Sequence, residues 1–122
     1  MKVYGIKNCD TVKKALKWLN DHEVEFEFHD YKKEGVDEQK LQEWFAQFSA
    51  EDLVNKRGTT WRKLTDEEKE AASDPSKAAA LIQDNTSMIK RPLIENDGAV
   101  VALGLQEMKD FVKVYFGLEV KN

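Results

Sequence analysis

The chain has 122 residues, the length of one domain with one core. Apolar residues make up 41% and charged ones 34%, a balance typical of water-soluble globular domains, and no apolar run approaches the ~20 residues that span a bilayer. The net charge of −4 has no basic half or tail, which weighs against nucleic acid as a partner, since that binding depends on clustered Lys and Arg.

Val3-Tyr4-Gly5-Ile6 reads as a short buried strand. Val12, Ala15, Leu16 and Leu19 follow at the spacing of one helix face. Val24, Phe26 and Phe28 alternate with Glu25, Glu27 and His29, the period of a half-buried strand. Asp37 can cap a second helix, with Val36 and Leu41 as its hydrophobic staple and Leu41, Trp44, Phe45 and Phe48 as its buried stripe.

From about residue 49 to 88 the pieces are short and helical. Thr65 with Glu68 forms a capping box, and Asp74-Pro75 places an N-cap before an N1 proline. Ala78, Leu81 and Ile82 give this stretch only a weak apolar face. The expectation is a helical insert within a single domain spanning 1–122. Strands return at Leu93-Ile94-Glu95 and Ala99–Leu103, flanking the hairpin turn Asn96-Asp97-Gly98. Leu105, Met108, Val112 and Tyr115 mark a last helix, with Gly117 as its stop. The βαβ start implies a parallel pair and the hairpin adds antiparallel strands. The fold class expected is α/β: a thioredoxin-like mixed four-stranded sheet with helices on both faces.

Cys9 is the single cysteine, so no disulfide can form within one chain. It stands where the first strand gives way to the first helix. There it meets the unpaired N–H groups and positive dipole end of the helix, which favour the nucleophilic thiolate. Lys7 and Lys13 add positive charge nearby. The alternative is a small buried cysteine that merely packs. A lone thiol and the absence of a secretory signal point to a cytoplasmic protein.

Arg91-Pro92 opens the third strand. Arg91 is either an anion-binding arm or a solvated charge. Arg57 and Arg62 bracket Gly58-Thr59-Thr60-Trp61, which could cradle an oxyanion or be a helix-cap turn with exposed charges. His22 and His29 lack metal-ligand spacing with each other or with Cys9, so no metal is expected. His22 should end a helix, and His29 should lie on the polar face of a strand.

Three stretches carry a resemblance: Tyr4 to Ala15 (YGIKNCDTVKKA), Arg57 to Leu64 (RGTTWRKL) and Ile89 to Ile94 (IKRPLI). In order and spacing they resemble the arsenate-reductase-like (ArsC/Spx) family, closest to its YffB-type subgroup of small bacterial proteins. The resemblance implies a thioredoxin-like fold whose proline after Arg91 is cis and faces the cysteine. It places the family cysteine on Cys9 and two family arginines on Arg57 and Arg91. Lys7, Asn8 and Pro92 complete the expected anion-binding surroundings. In arsenate reductases of this family the cysteine attacks arsenate, and glutathione and then glutaredoxin resolve the adduct.

The third arginine of those enzymes should lie near Gly104, but the segment reads Ala102-Leu103-Gly104-Leu105. A charge-assisted hydrogen bond contributes roughly 1.5–3 kcal/mol, so its loss costs about one to two decades of anion affinity. The resemblance therefore implies a glutathione-dependent thiol reductase ahead of an arsenate reductase. Glutathione is the expected co-substrate and glutaredoxin a candidate partner, with no tightly bound cofactor and no membrane. Spx-type regulators carry a CxxC switch; here Val12 holds the second position, which leaves a single-cysteine binding module as the alternative.

Overall fold

The computed structural model describes residues 1–117. Strand β1 (Lys2–Gly5) leads through a short turn into helix α1 (Asp10–Asp21). The helix buries Val12, Ala15 and Leu19, the face expected from their spacing. It ends in a Schellman arrangement. The Val24 amide donates to the Leu19 carbonyl (3.0 Å) and the Glu23 amide to that of Asn20 (3.1 Å). Glu23 holds a left-handed φ of 56°, a position usually given to glycine.

That turn corrects the expected second strand. Strand β2 is Glu27–Asp30, not Val24–Phe28. Val24 is committed to closing the helix and burying beside Leu19, and cross-strand bonding starts only at Glu27, whose amide donates to the Met1 carbonyl (3.0 Å). After β2 come α2 (Tyr31–Glu34), which the pattern did not announce, α3 (Glu38–Phe45), α4 (Ala50–Leu53), α5 (Thr59–Arg62), α6 (Asp66–Ala71) and α7 (Pro75–Asp84). A 3₁₀ turn, Thr86–Met88, precedes β3 (Leu93–Asn96), β4 (Ala99–Leu103) and α8 (Leu105–Tyr115).

The chain forms two compact units: Met1–His29 with the chain from Arg91 on, and Asp30–Lys90. In the first, the sheet order is β2-β1-β3-β4, with β1 antiparallel to β3 and β3 antiparallel to β4. This is the mixed four-stranded α/β sheet that was expected. Val3, Ile94 and Ala102 from the sheet pack on Ala15 and Leu19 of α1 and Met108 and Val112 of α8. Asp97 and Gly98 both take positive φ (53° and 81°), as a tight two-residue hairpin turn requires. Val101 is the extra residue of a bulge, since Ile94 opposes Ala102 and Glu95 opposes Val100.

Helix α8 corrects one core expectation. Met108 and Val112 are fully buried, but Tyr115 is 53% exposed, its ring stacked on that of Phe111 (5.2 Å). Gly117 does end it, at φ 62°.

In the second unit, Asp30 caps α2 by accepting from the Lys32 amide (2.9 Å). Asp37 starts α3 through its carbonyl, which accepts from the Leu41 amide (3.0 Å). Leu41 and Trp44 are buried, whereas Phe45 and Phe48 are only half-buried. The Thr65–Glu68 capping box opens α6, with both reciprocal bonds formed (2.9 and 3.1 Å). Asp74 caps α7 through the Ser76 amide (3.0 Å). Helix α7 packs on α3 and α6 and buries Ala78, Ala79 and Ile82, while Leu81 is half-buried. Among the described residues no helix is long and apolar enough to cross a membrane.

Candidate functional site

Cys9 is the N-cap of α1, in extended conformation (φ −82°, ψ 128°). Two hydrogen bonds hold it there. Its amide donates to the Ile6 carbonyl (3.0 Å), closing a turn over Lys7 and Asn8, and its carbonyl accepts from the Lys13 amide (2.9 Å) as the first bond of the helix. No side chain caps this end, so first-turn amides of α1 stay open at the position of the thiol. Cys9 is partly exposed, and Lys7, Asn8 and Lys13 are exposed around it.

The turn is held in place from beneath by Gly5. A Cβ on Gly5 would lie 2.8 Å from Val12 Cγ2. Strand β1 and helix α1 approach this closely only because that position has no side chain. The motif carried this signal: a glycine at the strand's end, ahead of an apolar helix face.

The sheet register brings a second element to the same end. Tyr4 opposes Leu93, so Arg91 and Pro92 stand beside the end of β1 from which the chain runs to Cys9. The Arg91–Pro92 peptide bond is cis, as the resemblance implied. Pro92 is buried and Arg91 half-buried. The Pro92 carbonyl accepts from the Gly104 amide (2.8 Å), which brings in the N-terminus of α8. Gly104 has φ 100° and ψ 166°, a conformation open essentially to glycine alone. An arginine at position 104 would be strained there.

Cys9, Lys7, Asn8, Arg91 and Pro92 thus share one unit and one end of its sheet. Arg57 belongs to the other unit, exposed ahead of α5, with its amide donating to Asn55 Oδ1 (3.1 Å). His22 ends α1 as expected: its Nδ1 lies 2.7 Å from the Trp18 carbonyl oxygen and its ring 4.2 Å from the Trp18 ring. His29 is half-buried on β2, its ring 4.9 Å from that of Tyr4. Among the described residues no group of three or more His, Cys, Asp or Glu is placed to hold a metal ion.

The sequence reading missed one polar feature. Glu95, on the central strand β3, is 7% exposed and accepts from the buried Tyr4 hydroxyl (2.9 Å). A carboxylate inside an otherwise apolar strand was the available signal.

Comparison with known proteins agrees with this fold. The model of the ArsC family matches residues 4–109. An uncharacterized protein of Haemophilus influenzae is 50% identical over 105 residues, 86% of this chain and 90% of that protein. The solved structure of a YffB protein superposes with a TM-score of 0.80 at 41% identity, over 91% of this chain and 95% of that one. The global transcriptional regulator Spx of Streptococcus agalactiae is 30% identical over 89 residues, 71% of this chain but only 64% of the regulator's own length.

Proposed function

This chain belongs to the ArsC family, and on that premise we propose that it is a glutathione-dependent thiol reductase with Cys9 as its only nucleophile. One observation carries the reading: the sole cysteine occupies the N-cap position of α1, with no side chain capping that end, at the sheet end that also holds Arg91–Pro92.

The proposed cycle needs one protein sulfur. The Cys9 thiolate attacks the glutathionyl sulfur of a mixed disulfide. A Cys9–glutathione disulfide forms as the substrate's S–S bond breaks, and the substrate leaves as a thiolate that takes a proton from water. A second glutathione thiolate then attacks that adduct, releases oxidised glutathione and restores Cys9. Per turnover the mixed disulfide and one free glutathione thiol become the substrate thiol and oxidised glutathione, so one thiol is oxidised and one is released. Open amides at the start of α1 stabilise the anionic sulfur as attacking and leaving group. Arg91 and Lys7, with Asn8 as a neutral donor, serve the carboxylates of glutathione. Pro92 bounds the site beside Arg91 and has no N–H to donate.

Turnover of a glutathione mixed disulfide, followed by glutathione-reductase-coupled NADPH oxidation, tests the reading. Wild type should turn over and accumulate a single glutathionyl adduct when glutathione is withheld. Cys9→Ser should keep its fold and lose both. A Cys9→Ser protein with full activity sinks the mechanism.

The likeness to Spx supports a second reading, a binding module without turnover. It expects one stoichiometric protein partner retained by Cys9→Ser. Arsenate reduction stands third, because the conformation of Gly104 disfavours an arginine at that position.

A further inference from the structure

The second unit carries a concentrated run of positive charge, to which the family resemblance assigns a role at Arg57 alone. Lys56, Arg57, Arg62 and Lys63 fall within eight residues, and no acidic residue lies between Asp52 and Asp66, in a chain whose net charge is −4. All four are exposed. Among the described residues, Arg57, Arg62 and Lys63 have no carboxylate within ion-pair distance. The Lys56 ammonium sits 5.6 Å from the centre of the half-buried Trp61 ring, so one of the cations lies against an aromatic face.

The patch is also fixed in shape. The Asn55 amide donates to the Met88 carbonyl (2.7 Å), and the Thr60 and Ser87 hydroxyls share a hydrogen bond of 2.7 Å. The Gly58 and Arg57 amides both donate to Asn55, at its carbonyl (3.2 Å) and Oδ1 (3.1 Å). A surface held this way loses little backbone freedom when it binds.

From this we propose that the segment 56–63 is a docking surface for a short acidic segment of a partner protein. Its limits select that occupant over a nucleic acid. Asp52 lies on one side in sequence, and on the other α6 opens with Asp66, Glu67 and Glu68. An extended phosphodiester strand would run from the cations into these carboxylates, whereas a few glutamates on one loop or helix turn can end with the patch. Trp61 supplies apolar contact as well as charge, and Trp and Arg are the residues that dominate protein interfaces. Peptide binding by these cations needs no thiol and should survive in Cys9→Ser.

The test uses three fluorescein-labelled probes: a glutamate-rich peptide with one tyrosine, its Gln-for-Glu copy, and an oligothymidylate of matched charge. Fluorescence anisotropy with the full chain should show binding of the acidic peptide, lost in the Gln copy and weakened by salt. The K56Q/R62Q/K63Q variant should bind roughly tenfold more weakly, from the usual contribution of three exposed charges. Amide shifts in the NMR spectrum of the wild-type protein should centre on residues 55–64. Tighter binding of the oligothymidylate overturns the proposal. So does unchanged peptide affinity in the variant, shifts centred on Lys13, Lys14 and Lys17 of α1, or no peptide binding at all.

Discussion

Gly5→Ala is the sharpest probe of how the thiol is positioned. The new Cβ would meet Val12 Cγ2 at 2.8 Å and Cγ1 at 3.3 Å, against about 3.5–4.0 Å for a relaxed carbon pair. Val12 is fully buried, and a helical valine is nearly confined to one χ1 rotamer, so it cannot turn aside. Relief requires α1 to move off β1 by several tenths of an ångström. Overpacking of this kind costs about 1–3 kcal/mol. Urea unfolding followed by tryptophan fluorescence should show that loss. The displacement also reaches Cys9, which is tied to β1 through the Ile6 carbonyl, so iodoacetamide labelling of the folded variant should change in rate. Val12→Ala removes both offending methyls, and in the double variant the alanine Cβ fills part of the space they vacate. The double variant should therefore be more stable than the two single losses predict, by about 1 kcal/mol or more. Strict additivity, or Gly5→Ala within 0.5 kcal/mol of wild type, would show that the close approach does not constrain the site.

Three further outcomes follow from particular contacts. Glu23→Gly relieves a left-handed residue at the end of α1 and should raise stability by about 1 kcal/mol, read as a higher urea midpoint at unchanged m-value. Tyr4→Phe removes a buried donor from Glu95 and should destabilise by about 1–3 kcal/mol, measured in the same way. The Asp74 carboxyl is held below its ordinary value of 3.8, first by the side-chain hydrogen bond from Ser76 and then by the Ser76 amide. A lowered folded pKa means its contribution to α7 is present above pH 3.8 and fades as pH falls through the folded value. Thermal melts of wild type and Asp74→Asn should therefore differ at neutral pH and converge in acid; a gap that widens in acid reverses the assigned sign.

The parts of the fold written in local periodicity were legible. Val12, Ala15 and Leu19 announced α1, and Asp97-Gly98 announced the hairpin, because each signal acts within a few residues. The start of β2 was not, since Val24 keeps strand-like alternation while its amide closes the preceding helix. Tyr115 has the spacing of a core residue yet lies 53% exposed, since spacing marks a helix face but not where along it the burial stops. Helix α2 has a single turn, capped by Asp30 and stopped by Gly35 at φ 66°, too short to show a period. At the candidate site, the cysteine at the strand–helix junction was visible from spacing alone. Its neighbour across the sheet was not, because the Tyr4–Leu93 register joins residues far apart in sequence; the family resemblance supplied that link.

On the proposed reading, charge at the end of the sheet favours a disulfide over an oxyanion as substrate. A tetrahedral oxyanion concentrates charge on one small group and depends on several cations converging on it. The resemblance places one such cation near position 104, where the backbone holds a conformation open essentially to glycine and the amide is bonded to the Pro92 carbonyl. Each charge-assisted bond missing there weakens anion binding by about 1.5–3 kcal/mol. A glutathione mixed disulfide carries its charge on carboxylates remote from the reacting sulfur, so it can be held by cations that do not converge on the thiol. Exposed Lys7 and half-buried Arg91 on either side of the β1 end suit that dispersed demand. If Gly104 is the reason arsenate is disfavoured, changing Leu103 or Leu105 to arginine supplies charge without straining position 104. Such a variant should gain affinity for arsenate while disulfide turnover changes less.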